Sequence, residues 1–194
     1  MCSRFNNGGS PQELQQRFGD WDWPDPLPNG DQRPTDSVLT LDIQEGARLL
    51  AWGIPSPFDG KPLINARSET LEIKQTFRPL LQRRVLVPAS FYYEWRKDGK
   101  RSLKNRIGRP DGAYMALAGL TDGRFLTIVT CAPSPSIAHI HGRMPVILDE
   151  SLERDWMNNQ IGFGTIQPAL APAPDHLLSA VEDQPPPDPQ MSLF

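Results

Sequence analysis

Sulfur and imidazole are scarce in this chain of 194 residues: it has two cysteines, Cys2 and Cys131, and three histidines. Two thiols cannot staple a small scaffold, which excludes a disulfide framework and fits a reducing compartment. His139-Ile140-His141 sets two imidazoles on one face of an extended segment. No nearby run of Cys, Asp or Glu completes a ligand set, so neither a metal nor a cofactor is expected. Long apolar runs are missing too. Nothing approaches the ~20 residues that cross a bilayer, and the polar start from Ser3 to Gln16 is no signal peptide. A soluble, cytoplasmic protein with no membrane partner is expected.

Net charge is small, a formal −3, but charge is unevenly spread. Residues 78–109 hold ten basic side chains against Glu94 and Asp98, a local +8 that leaves −11 elsewhere. Such a segment is either a solvated hairpin or a surface facing a polyanion.

Proline is plentiful, at 21 residues, and hydrophobic residues make up a modest 38%. A single loop-rich domain with an irregular tail follows. Ser10-Pro11-Gln12-Glu13 is a capping box with proline at the first helical position, and Gly19 is a stop, so a helix is expected over 11–18. Residues 20–36 read as an ordered loop. Strands are expected at 38–43 and 48–54, at 84–87 and 91–96 on either side of a break at Pro88, and at 114–120 and 124–130. Asp98-Gly99 marks the tip of a basic hairpin. Short helices fit 68–74 and 134–140, a strand 145–148, and Asp149 caps a last helix to about 158. Many short strands with few helices predict an α+β fold built on a curled, barrel-like antiparallel sheet. The domain is expected over 1–164, with a proline-rich tail over 165–194.

Cys2 is the residue around which the chemistry is organised. Loss of Met1 would expose an α-amine and a thiol on one residue, two nucleophiles that together close a five-membered thiazolidine on an aldehyde. Asn65-Ala66-Arg67 offers an amide and a guanidinium two positions apart, and is otherwise a helix cap. Glu94 lies among Tyr93 and Trp95, as a desolvated general acid or as a carboxylate on the solvent face. His141-Gly142-Arg143 adds a titratable imidazole beside a second guanidinium.

Cys2-Ser3-Arg4, Asn65-Ala66-Arg67-Ser68-Glu69, Arg83 to Trp95, Ala118-Gly119-Leu120 and His141 to Leu148 occur in that order. The joint pattern resembles the SOS-response-associated peptidase (SRAP) family, which crosslinks to abasic sites in single-stranded DNA, over about residues 2–158. It departs at Ser3, where glycine is usual, at Val85, a common cysteine, and at Ser90-Phe91, where an Asp-Gly type turn is usual. The resemblance implies that Cys2 bonds C1′ of the ring-opened sugar, that Glu94 is the acid and base of ring opening, that His141 shuttles protons and that Asn65 orients the amine. It also implies that Arg4, Arg67, Arg84 and Arg143 meet phosphates and that Trp52 and Trp95 stack against bases. Weak lyase activity by β-elimination and an autopeptidase-like loss of Met1 belong to the same picture.

The last residues, Gln190-Met191-Ser192-Leu193-Phe194, resemble the Gln-x-x-Leu-Phe peptides of bacterial sliding-clamp partners. Leu193 and Phe194 would fill an apolar pocket and Gln190 would bond at its rim, which would bring the protein to the nucleoid. A monomer is expected. The alternative to crosslinking is an N-terminal-nucleophile cysteine hydrolase that uses Cys2, His141 and Glu94.

Overall fold

A computed structural model describes residues 2–183. The capping box forms as expected. Ser10 accepts from the Glu13 amide, the Glu13 carboxylate accepts from Ser10, and helix α1 runs Pro11–Phe18. It follows β1 (Phe5–Asn6) and precedes β2 (Asp31–Gln32), a short strand inside the expected loop. Then come β3 (Ser37–Asp42), β4 (Gly46–Trp52), β5 (Ile54–Pro55), β6 (Pro62–Leu63) and β7 (Asn65–Arg67). The second half holds β8 (Arg84–Ala89), β9 (Phe91–Asp98), β10 (Arg101–Gly108), β11 (Met115–Thr121), β12 (Phe125–Cys131) and β13 (Met144–Pro145). Helices α2 (Glu150–Met157) and α3 (Phe163–Ile166) and strand β14 (Ser179–Glu182) complete the described chain. The segments expected as helices at 68–74 and 134–140 are single 3₁₀ turns, Ser68–Thr70 and Pro135–Ile137.

The expected curled sheet is a closed ring of five strands, β11-β8-β3-β4-β12, shut by the β11–β12 hairpin. One contact of the ring is parallel, β4 beside β12. Val85, Val87, Leu117, Leu126 and Ile128 are buried there, which gives the ring a packed centre rather than a pore. A second sheet, β14-β10-β9-β1-β2, lies outside it and is antiparallel. Its inward side chains, Phe5, Tyr92 and Ile107, join the same core.

Two further expectations fail. Pro88 does not break β8, which runs through it opposite Ala116. The Ala116 carbonyl accepts from Leu148, so position 88 faces no ladder partner there, and β3 bridges β8 only at Leu86. The boundary expected at 164 falls inside the fold. Leu170, Ala173 and Leu178 are buried, and β14 pairs with β10 from Ser179 to Glu182. The proline-rich residues 184–194, including Gln190, Leu193 and Phe194, lie outside the described residues, as does Met1.

Candidate active site

The site forms where the two sheets meet. β1 pairs with β9 through Phe5 and Tyr92, and the Tyr93 amide donates to the Arg4 carbonyl at 2.9 Å, so the chain before β1 runs alongside Glu94. Cys2 is fully buried at that point. Asn65 is held beside Ile128 by the parallel pairing of β7 with β12, and its Nδ2 donates to the Cys2 carbonyl at 2.8 Å.

Trp52 underlies both strands. Its indole N–H donates to the Ile64 carbonyl at 2.8 Å, next to Asn65, and its ring meets Phe5 edge to face with centroids 5.0 Å apart. The following Gly53 has φ +125, and a Cβ there would lie 2.5 Å from Pro62 Cβ. Only glycine lets β4 turn this close to β6.

Glu94 is on the inward face of β9 and almost wholly buried. Loss of water raises its pKa above the usual carboxylate value, opposed by positive charge that includes His141. His141 follows the 3₁₀ turn Pro135–Ile137, and its Nδ1 lies 3.8 Å from Glu94 Oε1. The same nitrogen is 3.1 Å from the Arg143 amide and 3.0 Å from the Arg143 carbonyl. A neutral Nδ1 accepts from the amide and a protonated one donates to the carbonyl, so the turn satisfies the imidazole in both states.

The Cys2 thiol is pushed well above its ordinary pKa, first by burial and next by the charge of Glu94. Burial also pushes Cys131 up, to about 12. The neighbouring Tyr92 phenol is raised for the same reason.

Ser3, Glu94, Trp95, His139, His141 and Gly142 line an open groove of about 580 Å³, together with Lys97 and Ser102. Lys97 and Ser102 were missed in the sequence as individual site residues. The available signal was strand alternation, which sets Lys97 on the face of Trp95.

The arginines divide. Arg143 is gripped by Glu69 in a two-pronged pair at 2.6 and 2.9 Å and donates to the Thr130 carbonyl at 2.7 Å. Arg4 Nε lies 2.8 Å from Asp31, and Arg67 is exposed. Arg84 and Trp52 do not belong on a DNA surface, against expectation. Both are buried, and the Arg84 guanidinium bonds the carbonyls of Leu81, Trp156 and Ile161. Its position in the basic run gave no hint of this, because all but one of the carbonyls that claim it lie beyond residue 155.

Residues 1–182 match the family model described as SOS response associated peptidase (SRAP). The chain is 34% identical over 184 residues to the abasic site processing protein YoqW of Bacillus subtilis, covering 81% of this chain and 80% of that one. It is 33% identical over 181 residues to the abasic site processing protein YedK of Escherichia coli, covering 83% and 81%. Among solved structures, a protein from Bacteroides thetaiotaomicron superposes with TM-score 0.82 at 20% identity over 99% of both chains. One from Bordetella bronchiseptica gives 0.82 at 24% identity, over 94% of this chain and all of the other.

Proposed function

The chain belongs to the SOS response associated peptidase family, and from that premise we propose that it processes abasic sites in single-stranded DNA by bonding them covalently through Cys2. The observation that carries the reading is the convergence of Cys2, Asn65, Glu94 and His141 beside one open groove. Removal of Met1 frees the Cys2 amine. Glu94, its pKa raised by burial, gives a proton to the ring oxygen of the abasic sugar and takes up the proton of the C1′ hydroxyl, which opens the ring and exposes the aldehyde. The amine adds to C1′ and water leaves, forming an imine. The thiol then adds across the C=N bond and its proton passes to nitrogen, closing the thiazolidine with a net loss of one water. Asn65 holds the Cys2 backbone, and His141 relays the protons of imine formation and reversal. The aldehyde is reachable only in unpaired or flipped nucleotides, which makes single strands the substrate. Elimination from the imine is a slow side reaction, and the peptidase step is loss of Met1.

The raised thiol pKa favours this chemistry over hydrolysis. A cysteine hydrolase needs a thiolate beside a cation, whereas burial holds the Cys2 proton in place. An imine needs only the neutral amine first and accepts a protonated thiol second.

The test is incubation with a single strand that bears one abasic site, followed by mass spectrometry beside Cys2→Ser. The expected adduct is protein minus Met1 plus DNA minus one water, lost or labile in the variant. No adduct from protein that has lost Met1 refutes the reading and favours the hydrolase.

The tail Gln190-Met191-Ser192-Leu193-Phe194 extends the proposal to sliding-clamp docking of a monomer, on the strength of its sequence.

A further inference from the structure

The outward face of the second sheet carries a series of rings and cations that continues beyond the Cys2 groove. Side chains 91, 93, 95 and 97 of β9 share this face by strand alternation. Phe91 and Tyr93 meet edge to face at 5.3 Å, and Tyr93 and Trp95 are 6.5 Å apart. Cations from the flanking strands are set between them. The Arg106 guanidinium is 5.2 Å from the Phe91 ring, while Lys104 Nζ and the Arg4 guanidinium are 3.8 and 5.4 Å from that of Tyr93. At one end Trp95 and Lys97 enter the groove of Glu94 and His141. At the other the series opens into a second cleft, lined by Phe91, Arg106, Arg109 and Val181.

Two observations separate this face from ordinary surface. Arg96, Arg101, Lys104 and Arg109 each hold a carboxylate, whereas Lys97 and Arg106, at the two ends of the series, have no ion pair among the described residues. Phe91 and Trp95 are partly exposed, each lining one of the two clefts, while Tyr93 is buried between them beneath Lys104 and Arg4.

We propose that this face is a track for a single nucleic-acid strand, which stacks bases on Trp95 and Phe91 and holds phosphates with Lys97, Lys104 and Arg106. The track carries the flank of the substrate away from the Cys2 groove. Its occupant rests on the reading of that groove as a site for single-stranded DNA. Rings alone would suit any apolar partner. Two open rings with cations between and beyond them suit a polymer that repeats a base and a phosphate. Asp31 and Asp183 hold Arg4 and Lys104 in the free protein, and phosphates take their place.

The test is fluorescence anisotropy of the full chain with labelled, undamaged oligothymidylate, which has no aldehyde to crosslink. Arg106→Glu and Phe91→Ala are each expected to weaken binding about tenfold or more. Arg106→Gln is expected to lower the salt dependence by about one phosphate contact. Arg78→Glu makes the same charge change off this sheet and is expected to have little effect. Wild-type affinity in both Arg106 variants overturns the proposal, and so does an equal loss in Arg78→Glu. A parallel arm with abasic DNA separates the two readings. Weakened variants with no wild-type adduct sustain the track and refute the Cys2 chemistry, while adduct formation with unaltered variants does the reverse.

Discussion

Glu94 shows how one buried side chain links chemistry to stability. Its pKa is raised in the folded state, mainly by desolvation, from a reference of 4.5. The group therefore favours folding fully only below 4.5, and that contribution is lost as pH rises through the raised value. Glu94→Gln is expected to melt higher than wild type at neutral pH, the gap closing towards pH 4.5, as scanning calorimetry at several pH values would register. The same substitution removes the proton donor, so the adduct rate at neutral pH should fall by about a hundredfold. In wild type that rate should decline on the alkaline side as Glu94 ionises, and on the acid side as the Cys2 amine protonates below about 7.7–8.0. A stability gain without a rate loss would leave Glu94 as a burial defect only. Glu69 is the second informative residue: its hydrogen bonds to Arg143 hold its pKa down and keep that guanidinium in one pose. Glu69→Gln should loosen DNA binding without touching the chemistry, read as a higher KM at unchanged saturating rate.

Elements depend on residues whose role is invisible in their own neighbourhood. Arg84 begins β8, yet its guanidinium fastens the end of α2 and the Ile161 turn to the barrel by carbonyl bonds. Trp156 completes the same join, its indole N–H donating to the Val85 carbonyl at 2.9 Å. Arg84→Ala strips several buried acceptors at once and should cost about 3 kcal/mol, seen as a melting point lower by about 10 °C. Any folded fraction should still bind single-stranded DNA. β14 is the other case: truncation after Leu178 removes four paired residues and the Arg96–Glu182 bridge. That truncation should expose the β10 edge and reduce stability, whereas truncation after Asp183 should leave the melting point unchanged.

At the scale of the molecule, a net charge of −3 coexists with a basic segment that is partly neutralised from elsewhere in the chain, by Glu182, Asp183 and Glu150. Lys97 beside the groove and Arg106 along the outer face are among the cations left over, so strand affinity should fall steeply with salt although the protein as a whole is acidic. Deletion of residues 184–194 should leave the abasic adduct intact and abolish binding to a bacterial sliding clamp in surface plasmon resonance; unchanged clamp affinity would refute the docking role of Gln190, Leu193 and Phe194.

Sequence alone was enough for what depends on local rules. The α1 capping box, the hairpin tip at Asp98-Gly99, the α2 cap at Asp149 and the β11–β12 hairpin all obey backbone hydrogen bonding within a few residues. The ordered motifs from Cys2 to Leu148 also carried the family, because each keeps its residue types at fixed spacing. Tertiary structure decided what depends on partners far along the chain. It closed the barrel through the parallel β4–β12 contact, added β14 to a segment that looks like tail, and buried Arg84 and Trp52. Burial and charge pairing are set by whichever segment folds over a side chain, and no periodicity within residues 48–54 or 78–109 encodes the neighbours at 64, 156 or 161.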